Sequence, residues 1–235
     1  MSGHSKWHSI QKKKGLADTK RGQVFTKMAK AISIAVKTGG GPDPEFNFQL
    51  RVAIDSAKAA NMPKDNIDRA IARGAGEGVD GKQIEEVIYE GFGPGGSAIL
   101  IQCLTDNRNR SIADVRIAMN KNGGNLGGQG TVMWMFDLKG LIVMESDLTD
   151  ELELSLIEAG AEDIQVEDSV IEVTTGPTDL KQVLDIISGD VEHASLSYVS
   201  KEAVALQEND SEHLEKLIGA LDDLDDVDTV YTNVM

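Results

Sequence analysis

The chain has 235 residues, a formal charge of −16 from 23 basic and 39 acidic side chains, and one cysteine, Cys103. That length can bury two or three compact units, and a lone cysteine excludes a disulfide framework and a cysteine-based zinc site. No apolar run approaches the ~18 residues of a membrane span. The basic N-terminus is followed by no apolar core and no small-residue cleavage site, so no secretory signal is read and a soluble cytoplasmic protein is expected.

The charge is unevenly spread. Residues 1–73 hold 14 basic and 6 acidic residues, net +8, whereas residues 74–235 hold 9 and 33, net −24. Such polarity points to a nucleic-acid or other anionic partner. Up to Lys37 there are nine Lys or Arg and a single acid, Asp18. Lys6 beside Trp7, the run Lys12-Lys13-Lys14, and Lys20-Arg21 belong to a mostly polar arm over residues 4–22. Clustered cations neutralise phosphates and release counterions. Trp7 suits either stacking on a base or anchoring the arm on a hydrophobic patch. His4 and His8 are four apart but lack a third ligand, so no metal site and no cofactor is assigned.

Phe25, Met28, Ala29, Ile32 and Val36 then recur at helical spacing, with Lys20, Lys27, Lys30 and Lys37 on the opposite side. This predicts a helix that buries a stripe and shows a row of ammonium groups to water, ended by Gly39-Gly40-Gly41-Pro42. Solvated lysines would account for the helix alone, and it is the arm that favours nucleic-acid contact. A second helix is predicted over 47–60, with Leu50, Ile54 and Ala57 on one face. A third starts at Pro63, carries Ile67, Ala70 and Ile71, and closes at Gly74. Together they suggest a three-helix bundle, with Gly74 to Gly78 a linker by composition.

Beyond the linker the period changes. Val87–Tyr89 and Ala98–Ile101 read as strands. The loop Gly91 to Gly96 matches G-x-G-x-x-G, but a strand follows it and no helix N-terminus faces a pyrophosphate, so a hairpin is expected. The Asn-rich turn after Thr105, or Ser111, caps a helix with Ile112, Val115 and Met119. Arg108, Arg110 and Arg116 there fit either phosphate binding or pairing with local carboxylates. The loop Gly123 to Gly130 offers amides for an anion, or simply a permissive connection. Strands follow at 132–136 and 141–144, a helix at 150–159, strands at 164–166 and 170–173, a helix after Pro177, strands at 196–199 and 203–206, a helix from Ser211, and a strand at 229–234. Paired strands mixed with helices indicate α+β units. The acids Asp222, Asp223, Asp225, Asp226 and Asp228 do not fit a calcium loop and are expected to be solvated charge.

Several ordered motifs carry a resemblance: Gly3-His4-Ser5-Lys6-Trp7, Asp18-Thr19-Lys20-Arg21-Gly22, the triple glycine with Pro42-Asp43-Pro44, Ala59 to Ile67, Thr105-Asp106-Asn107-Arg108, and Gly123 to Gly127. They span essentially the whole length, and the chain resembles the YebC family of probable transcriptional regulators, which includes a mitochondrial translational activator. The resemblance implies an α+β multidomain fold: a basic three-helix N-terminal domain (1–78), a discontinuous α+β, ferredoxin-like domain (79–130 with 200–235), and a third domain of the same kind (131–199) inserted in the second. It implies no catalysis, in keeping with the absence of a nucleophile elbow, a P-loop lysine motif or zinc spacing.

Three functions are open at this level. The first is a DNA-binding transcriptional regulator that grips phosphates through Lys6, Trp7, Lys12, Lys13, Lys14, Lys20, Arg21, Lys27 and Lys30, with Arg108 and Arg110. The second is a translation factor on ribosomal RNA, assisting at proline-rich stretches as described for some of the family. The third is a protein-interaction module whose basic arm meets an acidic partner, its own acidic domains included. No membrane and no small-molecule substrate are expected.

Overall fold

A computed structural model describes residues 18–77, 83–167, 169–187 and 191–234, with the backbone alone for 18–21. Three helices come first: α1 (Asp18–Thr38), α2 (Phe48–Ala59) and α3 (Lys64–Gly74). Ile32, Leu50 and Ala57 are fully buried between them, with Phe25, Met28 and Ala29 packed alongside, so the predicted stripes form one core. α1 is already helical at Asp18, inside the stretch expected to be a polar arm.

The turn out of α1 is held by Asn47. Its Nδ2 donates to the carbonyls of Ala35 and Gly41, both at 2.7 Å, while its Oδ1 accepts from Leu50 N at the start of α2. A Cβ at Gly39 would run into that side chain and into the Ala35 carbonyl.

The first sheet comprises β1 (Glu85–Phe92), β2 (Ala98–Thr105), β3 (Asn125–Leu126) and β8 (Val227–Thr232), in the order β3-β1-β2-β8 and antiparallel throughout. The glycine pattern between β1 and β2 is a hairpin, closed by Gly93 N donating to Ser97 O. α4 (Arg108–Lys121) and α7 (Glu208–Asp222) cover one face, burying Ile99, Ile101, Cys103, Val115, Met119, Leu217 and Leu221.

The second sheet belongs to Phe136–Val199, a separate compact unit inserted between Met135 and Ser200, with its last strand ending on Ser200. It contains β4 (Phe136–Glu145), α5 (Asp150–Glu158), β5 (Ala161–Glu167), β6 (Val170–Thr175), α6 (Leu180–Ile186) and β7 (Val191–Ser200), in strand order β5-β6-β4-β7. That β-α-β-β-α-β order is the ferredoxin-like arrangement. Leu141, Ile142, Leu156, Ile171, Val173 and Val183 are buried. The protein is therefore an α+β multidomain chain with the third domain inserted in the second.

Two predicted strands do not form. Residues 133–135 make a single 3-10 turn rather than part of a strand over 132–136, because the amides of Val132 and Met133 bond to a carboxylate rather than to a neighbouring strand. Residues 203–206 make only one bridge, Val204 with Val234, and Leu206 packs against the core of α4 and α7.

Candidate nucleic-acid interface

Of the residues nominated for phosphate contact, Lys6, Trp7, Lys12, Lys13 and Lys14 lie outside the described residues. Lys20 and Arg21 sit in α1, described by backbone only. The other four are fully described, and each is engaged within the chain.

α1 does not show its whole row of ammonium groups to water. Lys27 Nζ donates to the carbonyl of Asp222 at 2.7 Å. Lys30 Nζ donates to the carbonyl of Asp225 at 2.8 Å and to Asp226 Oδ1 at 2.5 Å. The side chains of Lys30 and Asp226 are only 13% and 8% exposed. The terminal acids are thus not all solvated charge: the α7–β8 turn holds them against the basic helix, because opposite charges leaving water together satisfy each other's hydrogen bonds. Burial pulls the Lys27 ammonium below its usual value even though Asp222, Asp228 and Asp223 oppose it. Burial also pushes the Asp228 carboxyl up, against the pull of Lys27.

Asp226 is the hub. Besides Lys30 it accepts from Arg110 Nε at 3.2 Å and Arg110 Nη2 at 2.8 Å, and the hydroxyls of Thr105 and Ser111 each lie 3.0 Å from its Oδ2. Burial alone would raise this carboxyl. The Lys30 and Arg110 hydrogen bonds outweigh it and hold the group at about 2. Arg108 grips Glu85 with Nε and Nη2 at 2.6 and 2.7 Å, which lowers the Glu85 carboxyl. Pairing with carboxylates is therefore what the structure records for Arg108 and Arg110. Asn107 caps α4, accepting from the amides of Asn109 and Arg110.

The second glycine-rich loop does surround an anion, and the anion belongs to the chain. Glu90, 4% exposed, accepts from the amides of Gly130 (2.6 Å), Val132 (2.8 Å) and Met133 (2.8 Å). Burial works to raise this carboxyl, and the backbone amides prevail to hold it below its usual value. Neither Glu90 nor Asp226 stood out in the sequence. A hint for Glu90 was a carboxylate at the end of an apolar strand, in a chain carrying a second glycine run. No spacing signals Asp226, which meets its partners only through the fold.

Among the described residues, no group of three or more His, Cys, Asp or Glu could hold a metal ion. None of the described helices is long and apolar enough to cross a membrane.

Comparison with known proteins covers nearly the whole chain. Residues 5–77 match a family model described as the TACO1/YebC protein N-terminal domain. Residues 84–234 match one described as the TACO1/YebC second and third domain. A protein of Syntrophus aciditrophicus named "probable transcriptional regulatory protein" is 50% identical over 239 residues, covering 99% of this chain and 95% of its own length. A relative of the same description from Geobacter sulfurreducens is 48% identical over 237 residues, with the same two coverages. The crystal structure of a conserved hypothetical protein from Aquifex aeolicus superposes with a TM-score of 0.84 at 42% identity, covering 95% of this chain and 93% of that one.

Proposed function

We propose, for a chain that belongs to the TACO1/YebC family, a non-catalytic, nucleic-acid-binding regulator of gene expression that grips phosphates through its basic N-terminal arm. The observation that carries this reading is the charge polarity of the chain, together with the fate of the helix lysines. Lys27 and Lys30 are taken up by the 222–226 turn. They fasten α1 to the acidic body, and phosphate contact falls to Lys6, Lys12, Lys13, Lys14, Lys20 and Arg21, with Trp7 beside them. A net charge of −24 over residues 74–235 disfavours nucleic acid across most of that surface, so binding concentrates where cations cluster.

The relatives' shared description supports a role in transcriptional regulation, and DNA is the partner this first reading assigns to it. Contact would then be directed at the backbone rather than the bases. The exposed positions of α3 carry Lys64, Asp65, Asp68 and Arg69, a mixed-charge surface rather than a row of base-reading side chains.

A second reading, a translation factor on ribosomal RNA, is favoured by Phe46. This ring is 83% exposed on the α1–α2 loop. The loop around it is braced by Asn47 and by Arg51, whose Nε and Nη2 donate to the carbonyls of Pro44 and Glu45. An ordered, exposed ring suits an unpaired base.

Ultraviolet crosslinking in cells, followed by sequencing of the attached nucleic acid, separates the two. Promoter DNA is the expected product of the first reading, and ribosomal RNA at a few discrete positions that of the second. Recovery of neither would sink both and leave the arm to an acidic protein partner.

A further inference from the structure

We infer that phosphate contact extends beyond the arm to a second patch, built where the end of α3 meets the start of α4 from Arg73, Arg108 and Arg110, with Lys37 at its edge. The inference rests on the nucleic-acid reading above and names a further site for it, whose ligand is a phosphodiester backbone.

The geometry of the two guanidinium groups carries the argument. Glu85 takes Nε and Nη2 of Arg108, and Asp226 takes the same two nitrogens of Arg110. A carboxylate seated on that edge fixes the planar group in place and turns the Nη1 edge away from itself, where Arg108 can meet a second anion, whereas Arg110 already gives the outer side of its Nη2 to Asp106 at 3.0 Å and keeps Nη1. Both side chains are open to solvent, at 63% for Arg108 and 49% for Arg110. They lie two residues apart in the first turn of α4, a turn that contains no acid. By contrast, α5 and α7 carry acids in their first turns.

α3 adds the third guanidinium. Arg73, 39% exposed, lies 3.9 Å from Asp106, which also receives Arg110 at 3.0 Å. Lys37 is exposed on α1 and close enough to Glu85 to help lower its carboxyl. At the surface of this junction Lys37, Arg73, Arg108 and Arg110 stand beside Glu85 and Asp106, with Asp226 buried beneath Arg110, while Asp222, Asp223, Asp225 and Asp228 gather around Lys27 and Lys30 instead. Exposed cations are thus gathered at one place on a chain whose residues 74–235 carry a total charge of −24. The competing account is that these ion pairs only brace the helical bundle against the sheet.

Salt dependence of binding separates the two, because each phosphate that a cation neutralises steepens the fall of affinity with salt. The full chain is titrated with a labelled single-stranded RNA of about 20 nucleotides over a range of salt concentrations. The arm variant K12A/K13A/K14A and the patch variant R73Q/R108Q are titrated in parallel. The patch variant is expected to bind more weakly, with the slope of log K against log salt reduced by ~0.7 for each phosphate left without its guanidinium, and with an effect additive to that of the arm variant. Arg108→Lys, which keeps the charge but not the two-nitrogen grip on Glu85, is expected to stay near the wild-type slope. If R73Q/R108Q loses slope only together with its cooperative urea transition, the effect is one of folding and the patch is refuted. An unchanged slope in R73Q/R108Q beside a reduced one in the arm variant also refutes the patch, while leaving the arm as the binding element. A wild-type chain that shows no salt-dependent binding would remove the proposed function itself.

Discussion

Lys30 Nζ lies 2.5 Å from Asp226 Oδ1, across 196 positions of sequence. The contact ties α1, the first of the described helices, to the turn that enters β8, and Arg110 and Ser111 of α4 close on the same carboxylate. The bundle therefore gains this anchorage only once β8 is in place beside β2.

Replacing Asp226 by alanine leaves Lys30 largely buried without its counter-ion and frees Arg110 from its main partner. Removal of one partner from a buried pair costs about 3–5 kcal/mol, and the half-exposed Arg110 places the expected loss near the lower end. Urea denaturation of the full chain measures it. Lys27→Met is expected to cost far less, since it removes an ammonium whose burial already opposes its charge and forfeits a single bond to the Asp222 carbonyl. Equal losses in the two variants would show that the hub has no special weight.

The same carboxylate makes the fold acid-sensitive in a defined window. Its folded value, about 2, lies below its ordinary 3.8. A depressed acid stabilises the fold wherever it is ionised in both states, so its contribution is complete above pH ~4 and is lost as the pH falls toward 2. Asp228, displaced upward, acts in the opposite sense. The useful quantity is therefore the difference between wild type and Asp226→Asn, followed by denaturation from pH 5 to pH 2. It should shrink across that interval. A difference independent of pH would mean that Asp226 titrates normally.

Glu90 yields a local prediction. Glu90→Gln retains an acceptor oxygen but replaces the other by an amide that repels the backbone N–H groups it faces. Leaving buried donors unmet costs ~1–3 kcal/mol. The expected result is faster hydrogen exchange at Gly130, Val132 and Met133, with little change in the hydrogen-bonded core of β2. Unchanged protection at those three amides would show that the loop holds its shape without the carboxylate.

These interactions mark the boundary of what the sequence discloses. The three helices were legible because Phe25, Ile32, Leu50 and Ile67 repeat at helical spacing and glycines or proline punctuate them. The hairpin at Gly91–Gly96 was legible because an apolar strand follows it. The two missing strands failed for a common reason: an apolar run at 132–136 or 203–206 states that residues are buried, not that their amides meet another strand. Asp226 was unreadable because its neighbours come from α1, β2 and α4. One acid among five at the chain end carries no local sign of which will face a buried lysine. Local pattern sets the elements here, whereas the pairing of the basic helix with the acidic turn is a property of the assembled fold.

Cys103 supplies an internal reporter for that assembly. It is fully buried in β2, beneath α4 and α7. Burial, with Asp226 and Asp228 nearby, pushes its thiol up to about 12. Since the thiolate is the reactive form, the native chain at pH 8 is expected to resist an aromatic disulfide reagent over hours, and the urea-unfolded chain to react within minutes. In Asp226→Ala the native-state reaction should accelerate, because the carboxylate that binds α1 and α4 beside β2 is gone. Rapid labelling of the wild-type chain would contradict the packing of β2. An unaccelerated variant would show that loss of the hub is confined to the surface and does not open the sheet.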